Sequence, residues 1–153
     1  MLNFFKKKPA DFFSDEEKKI IVAAIQQAEL NTSGELRVYI ENHCSYVNAT
    51  DRAENIFEQL NMFNTEQRNA VLIYVALKDK QLAIYGDKGI HEKVGTDFWN
   101  KEVKLILQFF NKQNYAEGIA EVAKQIGDAL KQHFPYNKHT DINELPDDIV
   151  FGR

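Results

Sequence analysis

One apolar segment constrains the fold more than any other part of the chain. Residues 70–77 (AVLIYVAL) are apolar without interruption, a polar turn follows at 78–80, and a shorter apolar run occupies 82–85. Two such runs around a short polar turn predict a β-hairpin. Because the first run shows no polar alternation, we predict that it is a central strand buried on both faces, which requires helices above and below the sheet.

The segments around the hairpin have the residue patterns of strands and helices that could pack against it. Residues 35–41 alternate between apolar and polar side chains, which is typical of a strand with one wetter face. Apolar residues with helical spacing begin after Asp51, so a helix is expected between the strand at 35–41 and the strand at 70–77. This order predicts a crossover connection between two parallel strands. A capping box at Ser14 opens an earlier helix, and two more helices are expected after Thr96. We predict that the glycine-punctuated segment 86–95 is a polar loop.

These elements predict an α/β fold, namely a three-layer α/β/α sandwich. Its small mixed sheet of three to four strands is covered by helices on both faces. We expect an N-terminal arm over residues 1–13, whose second aromatic pair packs on the core, and a folded domain over 14–135. An extended acidic tail is expected over 136–153, pinned to the surface by Ile149 and Phe151.

Composition narrows the class of protein. A formal charge of -4 and a pI near 5.6 argue against a nucleic-acid surface, which is usually basic. The single cysteine cannot form an internal disulfide, and no Cys and His residues have the spacing of a zinc site. No stretch approaches the ~20 apolar residues of a membrane span. The N-terminal segment has its apolar residues before its lysines, which is the reverse of the order in a secretory signal peptide. We therefore expect a monomeric, soluble, cytoplasmic protein.

Polar residues and glycines gather at one edge of the predicted sheet. If the first two strands are parallel and the third returns beside the second, the first two strands begin, and the third ends, at the same edge. Carboxylate and amide oxygens there form the donor set that calcium or magnesium prefers. We predict the ligands Glu35, Asn69, Asp87 and Asp97, with Arg68, Gly86, Lys88 and Gly89 around them. The alternative is that the aspartates only serve a turn and a helix cap, and that Glu35 is a solvated strand end.

The opposite edge carries His43 and Cys44, ahead of the helix that starts near Asp51. A helix N-terminus could activate the thiol, with the histidine as base, so a thiol nucleophile is a further alternative. No phosphate-binding loop, HExxH zinc helix or EF-hand loop occurs in the sequence.

The order of the motifs resembles a known family. SGELRVYIE, DRAENIFEQL, RNAVLIYVAL and LAIYGDKGI, then an FW-headed helix and YAEGI, are similar to the TPM domain over about residues 14–134. The compact form resembles stand-alone TPM proteins of Bacteroidetes-type bacteria. The resemblance implies an α/β/α sandwich, a divalent-cation site and, from plant lumenal members, acid phosphatase activity. Asn69 and Asp97 match family positions, whereas Ala70 replaces a glycine and one extra residue separates Gly86 from Gly89.

We therefore expect a stand-alone TPM domain that binds calcium or magnesium as a binding or regulatory module. One alternative is a metal-assisted phosphomonoesterase in which Lys88 or Arg68 holds the phosphate, although the sequence offers no evident nucleophile or general base. A second alternative is a protein-interaction domain without metal, which uses the acidic tail or the aromatic N-terminal arm.

Overall fold

A computed structural model describes residues 8–136 and 148–153 of the chain. The aromatic pair Phe4 and Phe5, and residues 137–147 of the predicted tail, lie outside these ranges. After a 3₁₀ turn at Pro9–Phe12, the elements are α1 (Asp15–Glu29), β1 (Glu35–Glu41), α2 (Ala49–Gln59), β2 (Ala70–Ala76), β3 (Gln81–Gly86), α3 (Lys88–Asn111), α4 (Tyr115–His133) and β4 (Ile149–Phe151).

The strands form one mixed sheet in the order β3-β2-β1-β4. β1 and β2 are parallel, with Glu35 opposite Ala70, which is the predicted crossover arrangement. β3 returns antiparallel to β2, and β4 runs parallel to β1 at the other edge. The tail therefore contributes a strand through Ile149, Val150 and Phe151, rather than only resting on the surface.

Helices cover both faces of this sheet. Residues of one orientation, such as Leu36 and Val71, share a core with α1, α3 and α4. Residues of the other orientation, such as Leu72 and Tyr74, pack against Ile56 and its neighbours in α2. The predicted three-layer α/β/α fold is confirmed. Within the described ranges, no helix combines the length and apolar character that crossing a membrane requires.

The segment after the hairpin differs from the prediction. Helix α3 begins at Lys88 rather than near Thr96, because the Asp87 side chain caps it and accepts a hydrogen bond from the Lys88 backbone N–H at 2.8 Å. Ile90 is 1% exposed, so burial stabilises this first turn despite its polar neighbours. At Gly95 the helix breaks, with φ 78°, and a second helical segment follows.

Of the aromatic pair before α1, Phe13 reaches the core as predicted, whereas Phe12 does not. Phe13 is 4% exposed and belongs to the core between the sheet and α1, α3 and α4. Phe12 remains partly exposed, and its ring meets Tyr115 edge to face with centroids 5.0 Å apart. The 3₁₀ turn is therefore held against the domain through these rings.

Gly127 marks the close crossing of α4 and α1. A Cβ atom at this position would lie 2.6 Å from the Ala28 Cα and 2.8 Å from its Cβ. Since the nearest atom belongs to the backbone, only a shift of α1 could make room for a side chain.

We expect Gly127→Ala to lower the free energy of unfolding by about 1 kcal/mol or more. This loss should occur although alanine favours a helix by about 1 kcal/mol over glycine. Urea denaturation measures the difference from the wild type. Asp128→Ala, at the exposed neighbouring position, is the control and should be neutral or slightly stabilising. A Gly127→Ala protein as stable as this control would contradict the close helix crossing.

Candidate functional site

Three strand ends meet at the edge where β1 and β2 begin and β3 ends. The Glu35 backbone N–H donates to the Asn69 carbonyl oxygen at 3.4 Å. The Asp87 N–H donates to the first carbonyl of β2 at 2.9 Å, and the Gly89 N–H donates to the Arg68 carbonyl at 2.8 Å. Residues that are far apart in the sequence are therefore neighbours along this edge.

Asp87 and Arg68 form the main ion pair of the edge. The guanidinium donates two hydrogen bonds to the carboxylate, at 2.6 Å from Nε and 2.8 Å from Nη2. Asp87 is 3% exposed and also caps α3, whereas the Arg68 side chain is 38% exposed. The hydrogen bonds from Arg68 to this carboxylate raise the pKa of Arg68. Both oxygens of Asp87 thus have partners, and a metal ion would have to compete with the guanidinium for them.

Two further oxygen-bearing side chains are buried at the same edge. Glu35 is 2% exposed and Asn69 is 1% exposed. The Asn69 side-chain nitrogen donates to Ser33 Oγ at 3.1 Å, but its Oδ1 has no hydrogen-bond partner among the described residues. Because buried polar atoms almost always have a partner, this oxygen is a candidate acceptor for a ligand.

The predicted ligands do not assemble into a metal-binding cluster of acidic side chains. In the part of the chain that the structure describes, no three His, Cys, Asp or Glu side chains form a group that could hold a metal ion. Asp97 is exposed on the second segment of α3, and it is not among the residues that line the neighbouring cleft. A cation at this edge would need amide or backbone oxygens and water to complete its coordination.

A cleft of about 660 Å³ runs beside β3 from this edge. Residues 82–86 line it along the strand, and Trp99 and Val103 of α3 form one side. Lys88 and the Arg68–Asp87 pair line the end next to the strand ends, so the cleft carries both apolar and charged groups.

Trp99 and His91 are cleft residues that the sequence did not reveal. The Trp99 indole Nε1 donates to His91 Nδ1 at 3.0 Å, so a neutral His91 carries its proton on Nε2. A Cβ at Gly86 would lie 2.3 Å from the Trp99 ring, which explains glycine at the end of β3. Only the helical conformation of the predicted loop brings His91 to Trp99, and the sequence pattern there did not indicate a helix.

Tyr85 adds a neutral polar group to the cleft. Its hydroxyl donates to Glu54 Oε2 at 3.2 Å. Burial, followed by the nearby Glu54 charge, raises the pKa of Tyr85 to about 12. The phenol therefore stays protonated at neutral pH.

At the opposite edge, the predicted thiol and histidine do not pair. His43 Nδ1 lies 2.9 Å from an Asp79 carboxylate oxygen, and the same carboxylate accepts the Cys44 backbone N–H at 2.7 Å. The Cys44 thiol donates to the Tyr46 carbonyl oxygen at 3.4 Å. Asp79 therefore orients the histidine, and the thiol is directed at a backbone carbonyl oxygen. The histidine-activated nucleophile stays a prediction.

The same edge contains a buried ionic network that sequence reasoning missed. Glu41 accepts two hydrogen bonds from the Arg52 guanidinium at 2.9 Å and one from the Tyr74 hydroxyl. Burial and the hydrogen bond to Glu41 raise the pKa of Tyr74. These contacts tie α2 to the ends of β1 and β2, which is a structural role.

A mixed sheet between helical layers, with a cleft along its edge strand, defines an α/β/α sandwich with one open side. The sequence model of the TPM domain family matches residues 7–129 of the chain. The chain therefore belongs to the TPM domain family. No curated protein matches the chain.

Solved structures agree with this assignment. The chain is similar to the BA42 protein of the psychrophilic bacterium Bizionia argentinensis, solved by NMR, with 45% identity and a TM-score of 0.82 over 91% of this chain and 94% of that one. The N-terminal domain of cg2496 from Corynebacterium glutamicum has 14% identity and a TM-score of 0.63 over 85% and 84% of the two chains. An N-terminal domain from P. gingivalis has 16% identity and a TM-score of 0.69 over 84% of each. The last two comparisons show the shared fold alone.

The two roles of Asp87 can be separated by substitution. We expect Asp87→Ala to lower the free energy of unfolding by about 2 kcal/mol or more, because it removes the helix cap and leaves Arg68 without its partner. Asp87→Ser keeps a capping oxygen but loses the ion pair, and it should recover about 1 kcal/mol of that loss. Urea denaturation measures both variants. Asp97→Ala, at an exposed position of the same helix, is the control, and equal stability of the serine and alanine variants would contradict the capping role.

Proposed function

We propose that this TPM domain binds a divalent cation, calcium or magnesium, at the edge where β1 and β2 begin. The observation that supports this most is the buried Asn69 Oδ1, which has no hydrogen-bond partner within the described residues. Leaving such an atom unsatisfied costs about 1–3 kcal/mol. A bound cation would offset this cost.

The residues of the edge fit a hard cation. Glu35 supplies a buried carboxylate on the neighbouring strand, and its backbone is hydrogen-bonded to Asn69. Magnesium usually binds through one or two carboxylates and keeps several waters, which suits the two acidic residues at the strand ends, Glu35 and Asp87. Asp87 would join only by loosening from Arg68. Asp97 remains a predicted ligand, and the metal titration tests it together with the other residues.

An amide NMR titration of the metal-stripped protein with magnesium and then calcium tests the proposal. We expect shifts concentrated at Glu35, Asn69 and residues 86–89, reversed by a chelator. Asn69→Ala and Glu35→Gln should each weaken binding by about tenfold or more, because each removes an oxygen donor.

Asp79→Asn is the matched control for this titration, because it removes an aspartate charge at the opposite edge of the sheet. Its affinity should equal that of the wild type. Unchanged spectra at millimolar metal, or equal affinity in wild type, Asn69→Ala and Glu35→Gln, would refute the site. Weaker binding in Asp97→Asn would add that residue to the ligand set.

The lining of the cleft favours a second candidate, a metal-assisted phosphomonoesterase. Lys88 and the exposed part of Arg68 could hold a phosphate group at the end of the cleft. His91, which as a neutral ring carries its proton on Nε2, could donate a hydrogen bond from this N–H to the leaving-group oxygen. A bound cation would polarise a phosphoryl oxygen.

Magnesium-dependent hydrolysis of p-nitrophenyl phosphate tests this second candidate. Lys88→Ala and His91→Gln should each reduce kcat/KM by about tenfold to a hundredfold. Lys104→Ala, at an exposed position of α3 outside the cleft, is the control. Turnover that persists in both cleft variants would point to a contaminating enzyme. Absence of turnover would reject the esterase and leave the cation site standing.

A further inference from the structure

The outer side of β3 has backbone hydrogen-bonding groups that pair with no other strand among the described residues. β3 is the edge strand of the sheet, next to β2 alone. The bond from the Asp87 N–H to the carbonyl opposite it in β2 fixes the alternation along the ladder. Because paired residues alternate in an antiparallel ladder, Leu82, Ile84 and Gly86 direct their N–H and C=O groups away from β2. No described strand pairs with this side.

The 660 Å³ cleft follows this outer side of β3, where no described strand pairs, rather than a face of the sheet. It is lined by five consecutive residues, 82–86. Successive side chains of a strand point to opposite faces, so a cleft that touches all five runs along the edge of the strand. Trp99 and Val103 form its apolar side, and Thr50 lines it as well. An extended chain laid here would meet backbone partners on one side and apolar surface on the other.

We propose that the β3 edge binds an extended acidic peptide segment of a partner protein, which adds a strand to the sheet. Lys80 precedes β3 and Lys88 follows it, and both are exposed. Among the described residues, neither lysine takes part in an ion pair, whereas Asp87 is buried against Arg68. A positively charged lysine therefore lies at each end of β3. This arrangement favours carboxylates at the two ends of the bound segment.

The same charges disfavour a second copy of this chain as the occupant. In an antiparallel pair, two residues that lie opposite each other either both direct their backbone N–H and C=O groups toward the partner strand or both direct them away from it. The symmetric pairing that uses all three outward residues places Ile84 opposite Ile84 and Leu82 opposite Gly86. Lys80 then faces Lys88 at both ends, and like charges in opposed positions are destabilising. A partner with acidic ends avoids this repulsion.

The test uses the full chain with a chelator present, so its result does not depend on cation binding. The probe is a blocked peptide with the sequence Glu-Val-Thr-Val-Thr-Val-Glu, and the matched peptide carries lysine in place of both glutamates. Hydrogen exchange of individual amides is followed by NMR. We expect the acidic peptide to slow exchange at Leu82, Ile84 and Gly86 by about tenfold or more, with little change at Ala83 and Tyr85, whose N–H groups already face β2.

Variants separate the charge from the strand pairing. The double substitution Lys80→Glu with Lys88→Glu should weaken binding of the acidic peptide by about tenfold, whereas Lys104→Glu should not change it. Leu82→Pro removes one outward N–H without breaking the ladder to β2, and it should weaken binding more than Leu82→Ala does.

Each outcome bears on the proposal. Protection of the three outward amides by the acidic peptide, lost in the double charge variant, supports it. No protection by either peptide at millimolar concentration overturns it, and so does equal binding of the acidic and lysine peptides. Protection that rises with protein concentration alone, together with a dimer in analytical ultracentrifugation, also overturns it, because a second copy then occupies the edge.

Discussion

The burial of β2 on both faces is the constraint on which the rest of the structure depends. All seven residues of Ala70–Ala76 are buried, so every backbone group and both rows of side chains must find partners inside the protein. β1 and β3 provide the hydrogen bonds on the two sides. Helix α2 covers one face, and α1, α3 and α4 cover the other. The three layers follow from this single requirement.

Charged and polar side chains border the apolar core at the beginning of β2. Arg68 enters the strand with φ 52°, and its side chain reaches Asp87 at the end of the returning hairpin. That carboxylate also starts α3, so one ion pair joins the entry to β2, the exit from β3 and the next helix. The buried Asn69 and Glu35 lie at the same end. The cation site and the esterase that we propose both use these strand ends.

Sequence reasoning reached part of this site. Alternation and apolar runs placed Glu35, Asn69 and Asp87 near one edge, because hydrophobic periodicity together with the crossover rule fixes which strand ends adjoin. It did not reach the partners of these residues. Asp87 bonds to Arg68, nineteen positions earlier, and His91 bonds to Trp99 across a broken helix. Such bonds depend on side-chain directions and on one backbone break at Gly95, which no short pattern encodes.

The sequence alone determined β1, β2 and β3, most of the helices that cover them and the three-layer arrangement, because burial imposes a local period that can be read residue by residue. Tertiary structure decided the rest. It extended α3 back to Lys88 through the burial of Ile90, and it joined Ile149–Phe151 to the sheet as a fourth strand. In the part of the chain that the structure describes, it also left the outer side of β3 without a neighbouring strand, beside Trp99. These features arise from contacts between distant segments, whose free energies depend on packing in three dimensions and not on the sequence nearby.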